Sequence, residues 1–451
     1  MGGSTTVALR GGLVVTQDEK RRVFRGDVLI SGDRVLKADR KVSERAEIEV
    51  DASRFLVAPG FINLHTHVAN TLLRGVADDM DFARFLETMF SYDAYRQESD
   101  IEAGAMVGIS EMLLTGSTSF LDMYYGEDAV ARACEQLGMR GFLGWTVLDK
   151  EMTTQKGIPL ENARSFIHRW KGNHLVTPLA APQGVYVCSE ETLLSTLDLA
   201  RTDGCLIHYH LSETLGEVEE NVSKRKLRPV EWLDKIGFLG QGQVAAHSVW
   251  LTNHEIELLA SRKVSTAHCP SSNMKLASGG GGLSPVTELR ERGVAVGLGT
   301  DSSTSNNSLS MLREIHLAGL AHKHGRHDPK SLPAQTLLDM ATVDGARALG
   351  KEGELGSISP GHLADLVLYD LRHPSLTPTT EYSAVSNLVY SANEGAVHTV
   401  YVGGRKVVEE GKVVLASDRD INVNALSELE ALRNRARRAN IVPENKFVKA
   451  S

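Results

Sequence analysis

The chain reads as an α/β protein, a (β/α)8 TIM barrel carrying a small β-sandwich domain built from both chain ends. Two observations predict this. Residues 59–359 alternate short apolar runs with longer helical patterns, eight times over. The flanks 1–58 and 360–420 hold short strand-like runs broken by turns, and they are expected to meet as one domain. An open doubly wound sheet is the competing fold. It would carry a Gly-rich phosphate loop after its first strand, and that position holds His65-Thr66-His67.

In order, Val7-Ala8-Leu9-Arg10, Leu13-Val14-Val15, Asp27-Val28-Leu29-Ile30 and Arg34-Val35-Leu36 are the strands of the first flank. The barrel strands are expected at 56–64, 117–122, 140–146, 175–181, 205–210, 243–248, 263–268 and 294–300. Helices are expected between them, including 98–115, 126–137, 189–202, 252–261 and 285–292. Asp365-Leu366-Val367-Leu368-Tyr369, His398-Thr399-Val400-Tyr401-Val402 and Lys406-Val407-Val408 return to strand, with Gly403-Gly404 as a hairpin turn. The tail 421–451 holds a charged helical run at 424–439, expected on the surface. Gly279-Gly280-Gly281-Gly282 is either a slack loop or the hinge of a lid.

With 451 residues, 42% hydrophobic and 24% charged, the composition is that of a globular protein with ample core. A net charge of -8 argues against nucleic acid as a partner. No apolar stretch is long enough to span a membrane. Met1-Gly2 opens a myristoylation-like pattern that nothing else supports. Cys134, Cys188, Cys205 and Cys269 are scattered, and no secretory signal opens the sequence, so a reducing cytoplasmic setting is expected.

Chemistry in such a barrel collects at the C-terminal ends of the strands. The first ends in His65 and His67, two apart and therefore able to aim both imidazoles at one point. The fifth ends in His208-Tyr209-His210 and is followed by Glu213, the sixth ends in His247, the seventh in His268 and the eighth in Asp301. His or Asp therefore ends five of the eight strands, in a chain with 16 His. His322, His324 and His327 follow no strand and are expected on the solvated surface.

These residues resemble the amidohydrolase superfamily. Within it they are similar to the methylthioadenosine/S-adenosylhomocysteine deaminase and chlorohydrolase family. The resemblance is carried by Pro59-Gly60-Phe61-Ile62-Asn63-Leu64-His65-Thr66-His67, Gly116-Ser117-Thr118-Ser119-Phe120-Leu121-Asp122-Met123-Tyr124 and His208-Tyr209-His210-Leu211-Ser212-Glu213-Thr214. It continues through Ser272-Asn273-Met274-Lys275-Leu276, Gly297-Leu298-Gly299-Thr300-Asp301 and Pro360-Gly361-His362-Leu363-Ala364-Asp365-Leu366.

The resemblance implies one divalent metal, Zn²⁺ before Fe²⁺, held by His65, His67, His210 and Asp301. Such a metal lowers the pKa of its water and supplies hydroxide near neutrality. Glu213 would shuttle the proton, with capping of the next helix as its alternative role. His247 would hydrogen-bond the attacking oxygen, and Asp301 would double as ligand and proton acceptor. Binuclear relatives carry a carbamylated Lys at the fourth strand; Val176-Thr177-Pro178-Leu179-Ala180-Ala181-Pro182-Gln183 has none, which favours one metal.

The implied reaction is deamination of an aminated purine or nucleoside such as 5′-methylthioadenosine, S-adenosylhomocysteine or adenosine. The alternative is a deaminase or chlorohydrolase acting on another heterocycle: guanine, a pterin or an s-triazine. The recognition residues depart from the nucleoside pattern. Where the family places a ribose-binding Glu, an Arg and a His, this chain has Ala94, Trp145 and Gln183. Gln183, Trp145, Glu213, His247 and His268 are the expected substrate contacts. A small aminated heterocycle is thus the expected partner. Such barrels are often homo-oligomeric, and the sequence names no interface.

Overall fold

A computed structural model describes residues 5–279 and 283–438. Residues 280–282 of the glycine run expected as a slack loop or a lid hinge, the end of the tail from 439 onward and the first four residues lie outside the described residues.

The first flank forms β1 (Thr6–Val15), β2 (Val23–Ser31), β3 (Arg34–Asp39), β4 (Ile48–Asp51) and β5 (Phe55–Pro59). The barrel strands are β6 (Phe61–Thr66), β7 (Ser117–Tyr124), β8 (Arg140–Val147), β9 (Val176–Pro182), β10 (Ile207–Leu211), β11 (Gln243–His247), β12 (Ser265–His268) and β13 (Val296–Leu298). The second flank adds β14 (Leu366–Asp370), β15 (Val397–Val402), β16 (Arg405–Glu409) and β17 (Lys412–Val413).

Two sheets result. The first is mixed and nine-stranded, ordered β17-β16-β15-β14-β5-β1-β2-β3, with β4 beside β1. Strands from both chain ends therefore join one sheet, as the two similar flanks predict. Leu9, Val28, Ile30, Val57, Leu366 and Leu368 share its buried apolar cluster. The second sheet holds eight parallel strands in chain order, the (β/α)8 barrel. Ile62, Leu64, Leu121, Phe142, Leu179 and Val244 form a buried cluster across the barrel strands.

The expected strand 56–64 is two strands. Gly60 separates them: its N–H donates to the Asp365 carbonyl at 3.0 Å, while the Phe61 N–H donates to the Gly116 carbonyl at 3.0 Å. One run of apolar residues thus serves both sheets, β5 pairing with β14 and β6 with β7. Asp365 ties the joint further. Its carboxylate accepts from the Arg140 guanidinium at 3.2 and 3.3 Å and from the Gly403 N–H at 2.6 Å. A carboxylate in this buried position is satisfied by a fork and a backbone donor together.

The gap between β13 and β6 is bridged at the functional end. Asp301 N–H donates to the His65 carbonyl at 2.9 Å, and Asn63 accepts from Thr300 N–H and donates to its hydroxyl. Gly299 permits this approach, because a Cβ there would lie 2.7 Å from the His65 nitrogen.

Two helices follow β6: α1 (Phe82–Asp93) and α2 (Glu98–Leu114). Asp81 caps α1 by accepting from the Arg84 N–H at 2.9 Å. The tail helix, Asp418–Arg438, is not purely a surface element. It buries Ile421, Leu432 and Ala436, and Leu432 shares a cluster with Phe85 and Met89 of α1. Its Arg435 pairs with Asp100 and donates to the Tyr95 carbonyl at 3.1 Å.

His322 corrects the surface assignment. It lies on the helix Met311–Arg326 and is buried, with its ring nitrogen 3.0 Å from that of His268. Met311, Ile315, Ala318 and His322 recur at helical spacing along one buried face, so the polar run after 322 hid the last residue of an apolar stripe. His324 and His327 are exposed. No helix among the described residues is long and apolar enough to cross a membrane. Among the described residues the four cysteines are free, three of them buried.

Candidate active site

The strand ends bring His65, His67, His210, His247, Glu213 and Asp301 together. One cavity lies above them, with about 810 Å³ of atom-free space counted to its open mouth.

The proton on each ring follows from its partners. The His67 Nδ1–H donates to the Met123 carbonyl at 2.6 Å, and the His210 Nδ1–H donates to the Gln183 carbonyl at 2.8 Å. Each neutral ring then carries a lone pair on Nε2. These two nitrogens face one another at 3.2 Å. The buried His208 donates its Nδ1–H to the Val244 carbonyl at 2.8 Å, so its Nε2 accepts from His65 Nδ1 at 2.8 Å. That leaves a lone pair on His65 Nε2, which is buried and has no hydrogen-bond partner. It sits 3.4 Å from Asp301 Oδ1, as does His67 Nε2.

Three lone pairs and a carboxylate therefore converge with no proton between them. Such an arrangement is repulsive by itself and suits a shared cation, so the residues fit a divalent metal. Burial, reinforced by the neighbouring imidazoles, holds the pKa of the His210 ring far below its ordinary value, which keeps the ring neutral, the form that can bind a metal. Asp301 accepts from the Ser302 N–H and the Ser272 hydroxyl, each at 2.6 Å. Both contacts favour the ionised carboxylate.

His247 differs. The Asn273 amide donates to its Nδ1 at 3.1 Å, so the proton sits on Nε2, 3.5 Å from Glu213 Oε2. It is arranged as a hydrogen-bond donor into the cavity. Burial pushes its pKa down to about 3, so it stays neutral.

Glu213 is buried, and burial together with the Asp301 and Glu217 charges raises its carboxyl well above the usual range. It does not cap the following helix. Thr214 does that, its hydroxyl accepting from the Glu217 N–H at 3.1 Å. Glu217 in turn accepts from the backbone N–H groups of Ser212 and Glu213, at 2.9 and 2.8 Å. Burial lifts the Glu217 carboxyl to about 7 against those backbone donors.

Ser212, His247 and Asp301 all have positive φ: 47°, 71° and 60°. For residues other than glycine this is costly, on the order of 1–3 kcal/mol each. Backbone bonds from Ser248 N–H to the Leu211 carbonyl and from Asp301 N–H to the His65 carbonyl, both 2.9 Å, hold the turns at His247 and Asp301, whose side chains line the cavity.

The remaining expected residues divide. Gln183 lines the cavity. Trp145 does not: its ring packs 6.1 Å from Phe166 and its N–H donates to Gln155 at 2.9 Å. Thr146, the next residue on β8, lines the cavity instead, since neighbours on a strand face opposite sides. His268 is not part of the lining either and bonds His322 behind it. Ala94 offers no recognition group, but Asp93 beside it lines the cavity. Its Oδ1 accepts from the Tyr124 hydroxyl at 2.5 Å, with the Arg96 guanidinium 3.6 Å away.

Sequence reasoning missed Asp93, Tyr124 and Tyr186, which line the cavity, and Glu217, which holds the Glu213 backbone. Only Glu217 left a local signal, as the acid three residues after a Thr that can cap a helix.

Comparison with known proteins gives a consistent picture. The amidohydrolase family model matches residues 56–407. A 5-methylthioadenosine/S-adenosylhomocysteine deaminase of Thermodesulfovibrio yellowstonii is 37% identical over 440 residues, covering 95% of this chain and 99% of that protein. A 5′-deoxyadenosine deaminase of Methanothermobacter thermautotrophicus is 41% identical over 401 residues, covering 88% and 92%. Among solved structures, an adenosine deaminase of Xanthomonas campestris with bound zinc superposes with a TM-score of 0.88 at 29% identity, covering 96% of this chain and 99% of that one.

Proposed function

The chain belongs to the amidohydrolase family, and we propose that it is a metal-dependent hydrolytic deaminase of adenine nucleosides. The observation that carries this reading is the convergence of three unprotonated imidazole nitrogens and Asp301 beside a carboxyl that no helix end claims. His65, His67, His210 and Asp301 would hold the divalent ion, Zn²⁺ before Fe²⁺, which when bound would supply an activated water at neutral pH.

Glu213 would take one proton from the attacking water and deliver it to the ring nitrogen. The water oxygen would add to the amine-bearing ring carbon, its remaining proton would pass through Glu213 to the amino group, and the C–N bond would break, so that ammonia leaves and the oxygen stays as the ring carbonyl. His247 donates its Nε2–H to the oxygen as charge builds there. Asp93 and Gln183 both line the cavity, where Asp93 would accept from sugar hydroxyls and Gln183 would bond the ring or sugar.

Ammonia release should appear with adenosine, 5′-deoxyadenosine or 5′-methylthioadenosine and be far weaker with guanine, pterins and s-triazines. Absence of release across the adenine nucleosides, with metal bound, would overturn the reading.

Glu217 holds the backbone of Glu213 in place. Exchange for Gln turns one acceptor into a donor facing a backbone N–H. Glu217→Gln is expected to lower kcat about tenfold with little change in KM, the signature of a misplaced proton shuttle. A parent-like kcat would contradict this.

A further inference from the structure

Resting on the deaminase reading, we infer that this chain selects adenine nucleosides whose 5′ substituent is short and uncharged. It rejects those whose 5′ arm ends in an amino acid. Its relatives include deaminases of 5-methylthioadenosine and S-adenosylhomocysteine and of 5′-deoxyadenosine, compounds that differ only in that arm.

Helix α1 forms one wall of the cavity. Phe82, Phe85, Met89 and Asp93 all line it, at a spacing that sets them along one face of the helix. The Asp93 end lies near the ligand set, because Tyr124, bonded to Asp93, has its ring 6.2 Å from that of His67. From Asp93 to Phe82 the helix runs roughly 16 Å, at about 1.5 Å per residue. The acid is thus at one end of the stripe and the aromatic and thioether side chains at the other. Leu148 and Leu276 extend the apolar surface from other parts of the chain. With the sugar hydroxyls at Asp93, the 5′ arm runs along Met89 and Phe85.

No Lys or Arg is among the described residues lining this cavity; its charged groups are the acids Asp93, Glu213 and Asp301. Two lysines nearby in the chain are engaged elsewhere. Lys275 donates to Asp78 at 2.6 Å, and Lys150 to the Gln155 carbonyl at 3.1 Å. The Arg96 side chain has no exposed surface and stands behind Asp93, over the Tyr124 ring at 5.2 Å. A methyl or methylthio group gains from burial against this wall. An α-carboxylate and α-ammonium would lose their hydration against this apolar wall, with no counter-charge among the described lining residues to receive them.

The test is kcat/KM for ammonia release from the metal-loaded full chain with 5′-deoxyadenosine, 5′-methylthioadenosine and S-adenosylhomocysteine. The first two are expected to exceed the third by on the order of 100-fold. S-adenosylhomocysteine within threefold of 5′-methylthioadenosine would overturn the selectivity and leave the deaminase reading standing. No turnover of any of the three would overturn both. Met89→Arg, which places a cation on the wall, is expected to narrow the ratio at least tenfold. An unchanged ratio in a folded, active variant would overturn the placement of the arm along α1.

Discussion

Glu213→Gln lowers ammonia release by about 10²–10⁴-fold, the usual contribution of a positioned acid–base group. The substitution keeps shape and volume. It removes no helix cap, since Thr214 holds that position, and no metal ligand is altered. Circular dichroism and metal content should therefore match the parent while turnover collapses. Glu213 must begin the reaction ionised to accept the water proton. Burial and the nearby Asp301 charge raise its carboxyl, so the acid limb of the rate should titrate above the ordinary carboxylate range, with rate climbing as pH rises through it. In the Gln variant that limb disappears. Unaltered turnover would remove Glu213 from the mechanism.

Asp301→Ala is the second large effect. The carboxylate stands 3.4 Å from both His65 Nε2 and His67 Nε2, and it is the anionic member of the proposed ligand set. Without it, three neutral lone pairs would share the cation with no negative charge to balance it. Metal per chain, measured by elemental analysis, is expected to fall, and activity to drop about 10³-fold or more, because the ion contributes several kcal/mol to catalysis. Chelation of the parent protein should reproduce the loss, and added Zn²⁺ should restore the parent but not the variant. Full metal occupancy in Asp301→Ala would exclude it as a ligand.

The proposed ligands were legible because strand geometry is local. Two residues apart on a strand share a side, so His65 and His67 declare a common target without further information. The strand ends of a barrel meet in space, so His210, His247 and Asp301 could be gathered from positions far apart in the chain. Trp145 shows where this reasoning slips. A shift of one residue on β8 exchanges the cavity face for the helix-facing one, and Thr146 takes the lining position. His322 shows a different limit. Its neighbours Lys323 and His324 are polar, and only its place on the buried face of Met311–Arg326 makes it a core residue.

By itself the sequence determined the fold class and the residue types that meet above the barrel, because alternation along strands and the order of strands are written in local pattern. Only the tertiary structure decided where the protons sit. Met123, Gln183 and Val244 offer carbonyls to three different histidines, and those contacts leave Nε2 of His67, His210 and His65 bare. Asn273 reverses the tautomer at His247. Sequence spacing does not encode such partners, since each comes from a neighbouring strand or from the segment that follows it. The same holds for Asp93. It is an ordinary acid at the end of a helix until packing sets it beside Tyr124 and Arg96, at one end of an apolar wall with no cation among the described lining residues.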